Sequence, residues 1–432
     1  VKKYSDYIRH PIKMYVETKE LKEGTENEYE RVITDKTLNS RVPIWKKNKN
    51  EVTDEDYNNF YSEKFYDFEA PLKTIHSKTE GQISYDALMF IPSHAPFDFY
   101  SKDYEKGLQL YSNGVLIMDK CPDLLPDYFS FVKGLVDSAD LSLNISRELL
   151  QQDHILKVIA KNVEKKIKTE LTKMLNSDRE AYEKFFAAFG LQLKYGLYTD
   201  YGMNKDALKD LVMFFSSNEK KLTTLKEYVD RMSEEQKTIY YASGETMDKI
   251  DLLPQADAVK SKGYEILYFT DDVDEFAIQM LREYDGKTFT NICAAGLDLQ
   301  SDEEKEAITK KNDDEKELLT FLKESIGDGV SEVRFTSTLK SHPVCLTTEG
   351  MLSLEMEKVL SAMPGAKGAA KATLILEIST EHPIAEKLVK LYAEDKEKTA
   401  KYAKLLYAQG CLIAGRAIDN PAEFSEMICE LM

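Results

Sequence analysis

Arg147 and Gln151 stand four residues apart in DSADLSLNISRELLQQDHILKVIAKNVEKK (Asp137 to Lys166), where a polar loop runs into a long helical pattern. If the chain is helical from Ser146 onward, both side chains leave the same face. A guanidinium fixed beside an amide suits phosphate recognition. Alone, an arginine at a helix start is usually a surface charge or half of an ion pair, so the pair needs a nucleotide site before it becomes chemistry.

No motif elsewhere supplies one. Gly365 to Lys371 (GAKGAAK) lacks the GxxxxGK[ST] spacing of a phosphate loop and reads as a glycine-rich turn before a strand. Asp271, Asp272, Asp274 and Glu275 could bind magnesium, and acidic residues complementing a helix dipole explain them with fewer assumptions. The six histidines are scattered, with no HExxH and no Cys/His cluster, so no metal site is expected. There is no GxSxG elbow and no cysteine-protease signature. A self-contained phosphoryl-transfer enzyme built from Arg147 and the Asp271 to Glu275 carboxylates stays open as the alternative reading.

Composition narrows the class. A 42% hydrophobic and 31% charged chain of 432 residues can bury cores for several domains. The net charge of −18 argues against nucleic acid or an anionic membrane as the main partner, since both need a basic footprint. Cys121, Cys293, Cys345, Cys411 and Cys429 are widely spaced and never form CxxC, which reads as reduced thiols in a cytoplasmic protein. No run reaches the roughly 18 apolar residues of a membrane span. The chain begins at Val1, and the expectation is that something upstream of it has been removed.

The elements that would hold these residues can be read in order. Gln82 to Pro92 is a strand candidate, and Asn113-Gly114 between two alternating apolar runs (Leu108 to Asp119) predicts a hairpin, because both residues tolerate positive φ. Leu156, Ile159, Val163, Ile167, Leu171 and Met174 recur on one face of a long helix. Ala181 to Ser217 reads as helical throughout, with Phe185, Phe186, Phe189, Leu208, Leu211 and Phe214 apolar. Thr238 to Ser243, Tyr264 to Phe269 and Lys287 to Ile292 predict a small, largely parallel sheet. Ser301 to Glu324 is a solvated, charge-laced helical stretch. Strands follow at Glu332 to Ser337 and Ala372 to Ile378, then helices at Lys396 to Ile413 and Pro421 to Met432.

Two apolar features have two readings each. Met351, Leu352, Met356, Val359, Leu360 and Met363 form a soft stripe of the kind adaptable binding surfaces use, although spacing alone favours core packing. Trp45, the only tryptophan, is either a partner contact or a buried anchor.

The segment NISRELLQQ (Asn144 to Gln152) with its upstream DSADL resembles the middle domain of the ninety-kilodalton heat-shock chaperones. VPIWKKNKNEVTDEDYNNFY (Val42 to Tyr61), ALMFIPSHAPFDFY (Ala87 to Tyr100), IYYASGETMD (Ile239 to Asp248), VDEF (Val273 to Phe276) and DGKTF (Asp285 to Phe289) are similar to family segments in family order. The resemblance covers nearly the whole chain. The end at Met432, without an acidic pentapeptide tail, is similar to the bacterial branch.

That resemblance implies an α/β, more narrowly α+β, chain. Residues 1–178 would be a large α/β/α unit of a middle domain carrying a catalytic-arginine loop, 179–218 a helical connector, 219–300 a small α/β/α unit, and 301–432 a mixed α/β dimerisation domain. It implies a homodimeric chaperone in which Arg147 reaches the γ-phosphate of ATP held by an N-terminal domain outside this chain, with Gln151 helping to set the closed arrangement. ATP and Mg2+ would belong to the full-length protein only, and this chain alone would neither bind ATP well nor hydrolyse it. Client contact would fall to Trp45, Phe276, Leu352, Met356, Val359 and Leu360, and the dimer interface to Leu405, Leu406, Leu412, Phe424, Met427, Ile428 and Leu431. The implied partners are non-native client proteins, a second copy of the chain and co-chaperones.

Overall fold

The computed structural model describes residues 7, 10–21, 29–39, 42–141, 154–365, 370–418 and 420–431. Its contacts divide into two units, Val1–Gly196 and Leu197–Met432.

In the first unit, β1 (Lys13–Leu21) and β2 (Tyr29–Thr37) form an antiparallel pair of their own. A five-stranded sheet follows from β3 (Lys73–Thr79), β4 (Tyr85–Ile91), β5 (Leu108–Ser112), β6 (Val115–Cys121) and β7 (Lys133–Ser138), in the order β3-β4-β7-β5-β6. The predicted hairpin is β5 and β6: Asn113 and Gly114 take φ of 50° and 79°, the left-handed geometry that lets a two-residue turn match strand twist. Every residue of β4 is buried, which explains its near-continuous apolar run.

The helix Asp54–Phe65 starts at Thr53, whose side chain and the Asp56 carboxylate close a reciprocal capping box. It packs Tyr57 and Tyr61 into a cluster with Trp45, Leu88, Phe90, Tyr111 and Leu135. The helix His154–Ser177 buries all six of its predicted apolar positions. The next, Arg179–Tyr198, sends Phe185 and Phe189 against Phe131, with ring centroids 5.2 and 4.7 Å apart.

The second unit holds a six-stranded mixed sheet of β8 (Met213–Ser216), β9 (Leu222–Thr224), β10 (Thr238–Ser243), β11 (Ile266–Phe269), β12 (Glu283–Tyr284) and β13 (Lys287–Asn291). The three predicted strands are parallel to one another as expected: β10 pairs with both β11 and β13. The sheet is not largely parallel, however, because β8, β9 and β12 add antiparallel pairings. The helical reading of Ala181 to Ser217 is corrected accordingly. Leu211 to Phe215 is a continuous apolar run, and pairing of β8 with β11 overrides the helical spacing of Leu208, Leu211 and Phe214.

A three-stranded sheet completes the unit, with β14 (Glu332–Thr336) parallel and β15 (Val344–Glu349) antiparallel to the central β16 (Thr373–Ser379). Sequence reasoning missed β15, whose second half is Thr347-Thr348-Glu349 rather than an apolar run. The charged stretch forms two helices: Asp302–Asp314 buries nothing, while Lys316–Ile326 buries Leu318, Leu319 and Leu322. The helix Lys396–Ile413 lies on the sheet, and at Gly410 an added Cβ would come within 3.1 Å of Leu346, so the glycine allows the close approach.

Candidate functional site

Arg147 and Gln151 lie outside the described residues, but the root of the segment that carries them is held by a dense set of bonds. Asp137, near the end of β7, is 0% exposed. Its Oδ2 accepts from the Trp45 indole N–H at 3.0 Å and its Oδ1 from the Gly114 amide at 3.2 Å. Lys46 Nζ is 3.1 Å from Asp137 Oδ2 and 2.8 Å from Asp86 Oδ2. Ser138 Oγ donates to Ser84 O at 2.7 Å, the Ser84 amide donates to Asp140 Oδ2 at 2.7 Å, and Ser112 Oγ donates to Leu141 O at 2.7 Å.

Trp45 is 1% exposed and T-stacked on Tyr7 at 4.5 Å. The packing is that of a buried anchor, in a cluster with Tyr57, Tyr61, Leu88, Phe90, Tyr111 and Leu135. Its turn, Ile44–Lys46, looked loop-like in sequence because three residues of 3-10 helix leave no periodic signature.

In the second unit, Phe276 sits half-buried on the helix Asp274–Leu281, its ring 5.7 Å from that of Tyr198. The helix Leu354–Ala362 begins at Ser353, whose hydroxyl accepts from the Met356 amide. Gln279, on the Phe276 helix, joins the two: its amide donates to Met351 O at 2.8 Å and to Met356 Sδ at 3.1 Å. Met356 therefore points inward and is buried. Leu352, Val359 and Leu360 are half-buried, and Met351 and Met363 stand exposed at the two ends of the stripe. Both methionines were in the stripe read from sequence but not among the residues assigned to contact.

The Asp271 to Glu275 carboxylates divide. Asp271 and Asp272 are exposed, whereas Asp274 accepts from the Asp271 amide and Glu275 is buried. Glu275 accepts from Ser353 Oγ at 2.7 Å and from Asn291 Nδ2 at 3.3 Å. Burial pushes its carboxyl above the ordinary 4.5, although those hydrogen bonds oppose the shift. Among the described residues no three His, Cys, Asp or Glu side chains converge as a metal site. The Cys293 thiol is pushed up to about 12, by burial first and then by the Glu275 and Glu355 charges, which makes it a poor nucleophile at neutral pH.

At the C-terminal end, Leu405 and Leu406 are buried, and Leu406 fills the core with Val344, Leu346 and Leu376. Leu412 is 53% exposed, and Phe424, Met427 and Ile428 are half-buried on the helix Pro421–Leu431. Lys401 to Glu430 at 2.8 Å and Lys404 to Glu423 at 3.5 Å tie that helix to the preceding one. The side chain of Leu431 lies outside the described set.

The sequence profile of the family described as "Hsp90 protein" matches residues 17–432. The chain is 56% identical over all 432 residues to the chaperone protein HtpG of Oceanobacillus iheyensis. It is 54% identical over the same length to the proteins of that name from Clostridium perfringens and Bacillus subtilis. In each case the alignment takes in 100% of this chain and 69% of the relative.

Proposed function

This chain belongs to the Hsp90 family, and we propose that it holds non-native client proteins, pairs with a second copy and supplies an arginine to an ATP-hydrolysing site. The observation that carries the client reading is the pair of bonds from Gln279 to Met351 and Met356. They seat the Leu354–Ala362 helix beside the helix of Phe276, leaving Met351, Leu352, Val359, Leu360 and Met363 as a semi-exposed rim. Flexible thioethers and branched aliphatics suit the dispersed apolar surface of partly unfolded chains better than a fixed motif does.

ATP and Mg2+ are assigned to a segment outside this chain. The contribution of this chain is the Arg147 guanidinium, which would offset phosphate charge, with Gln151 setting the closed arrangement. An arginine supplied in this way accelerates hydrolysis by roughly 10³ to 10⁵, or ~4 to 7 kcal/mol of barrier. A homodimer through Leu412, Phe424, Met427, Ile428 and Leu431, co-chaperone partners and a cytoplasmic location belong to the same proposal. So does the division at residues 178, 218 and 300.

ATP turnover tests the catalytic half. This chain alone should show none, and Arg147→Ala in the full-length protein should abolish most of it. An unchanged rate removes Arg147 from the mechanism.

A further inference from the structure

Asp86 and Asp137 are register partners on β4 and β7, so two carboxylates face each other across adjacent strands. Both are buried. Like charges placed directly opposite repel, and in a dry setting solvent does little to screen them. Lys46 answers that conflict from outside the sheet, reaching both carboxylates from the Ile44–Lys46 turn. Burial works against its charge, but the bond to Asp86 and the charge of Asp137 outweigh it and hold the ammonium above its ordinary pKa. Asp86 Oδ1 has no hydrogen-bond partner among the described residues, so Asp86 relies on the Lys46 contact at its other oxygen.

This pair lies at the point where β7 ends. Ser138, Asp140 and Leu141 are then pinned in turn to Ser84 and Ser112, and the chain passes on toward Arg147. Loss of the Lys46 charge would drive the Asp86 and Asp137 ends of the two strands apart, moving that whole series of anchors. We propose that Lys46 is a positioning residue: by neutralising the Asp86–Asp137 pair it keeps the end of β7 and the Ser138, Asp140 and Leu141 anchors seated. The catalytic consequence rests on the role given to Arg147 above. The geometric one does not.

The two are separable by experiment. Amide hydrogen exchange on this chain reads the geometry: Lys46→Met should speed exchange over residues 133–141 by about tenfold, leaving the helices Arg179–Tyr198 and Lys396–Ile413 unchanged. Lys46→Arg should restore the wild-type rate, and so should Lys46→Met combined with Asp86→Asn, which removes the unpaired charge. The double variant also serves if the single one fails to fold. Exchange at the wild-type rate in Lys46→Met, or acceleration spread evenly over the chain, overturns the proposal. In the full-length protein, Lys46→Met should lower kcat for ATP about tenfold at unchanged KM, the signature of lost transition-state alignment rather than lost binding. If Arg147→Ala leaves turnover intact while the exchange result holds, the catalytic reading fails and the positioning of the β7 end stands. If Arg147→Ala abolishes turnover and Lys46→Met leaves kcat unchanged, the catalytic part of the proposal is overturned.

Discussion

The Ser353 hydroxyl donates a 2.7 Å hydrogen bond to the buried Glu275 carboxylate while accepting the Met356 amide as a helix cap. One side chain thus both starts the Leu354–Ala362 helix and fastens it to the helix of Phe276. The proposed client rim owes its position to that bond and to the two made by Gln279.

Ser353→Ala removes the cap and leaves Glu275 one donor short. The cap alone is worth about 1 kcal/mol. Urea melts should show at least that loss, and amide exchange should rise in residues 354–362 before the rest of the unit.

Glu275 gives a pH dependence of definite sign. Its folded value is raised above 4.5, so below 4.5 it is protonated in both states and costs nothing. As pH climbs through the folded value, the folded state either retains a proton the unfolded chain gives up or ionises in a dry site, and stability falls. Glu275→Gln is free of that penalty. The melting temperature of the variant minus that of the wild type should therefore grow from pH 4.5 to pH 8; a difference independent of pH would refute the burial account.

Trp45 is a structural residue by its packing. Trp45→Ala should cost about 3 to 5 kcal/mol of stability, as large-to-small core changes do. Trp45→Phe, which keeps most of the volume, should leave client binding at wild-type level at a temperature where the variant is folded. Loss of client binding in folded Trp45→Phe would return this residue to the contact surface.

Dimerisation separates the terminal helices. Leu412→Glu or Met427→Glu should weaken a dimer measured by sedimentation without lowering the melting temperature of the monomer. Leu406→Ala should instead destabilise the chain itself by about 2 to 5 kcal/mol. A wild-type chain that is monomeric at micromolar concentration contradicts the dimer outright.

Local signals were legible in the sequence and distant ones were not. Asn113-Gly114 and the apolar face from Leu156 to Met174 declare themselves within a few residues, because turn geometry and helical spacing are properties of the chain's own neighbourhood. Strand β8 needed β11, some fifty residues on, to outweigh a helical pattern, and β15 needed β16. The bond from Ser353 to Glu275 spans 78 residues, and Trp45 meets Asp137 across 92. Nothing in a local window distinguishes a tryptophan that anchors a carboxylate from one that greets a partner. The client stripe was visible as a stripe, but which of its residues turn inward depended on Gln279 and on Ser353.

The most direct test is suppression of aggregation of a chemically unfolded client by this chain carrying Val359→Asp and Leu360→Asp. Both positions are half-buried on the rim and neither contributes to the Ser353 or Gln279 bonds. The account predicts a folded protein whose suppression is largely lost. Suppression at the wild-type level by a folded double variant would contradict it.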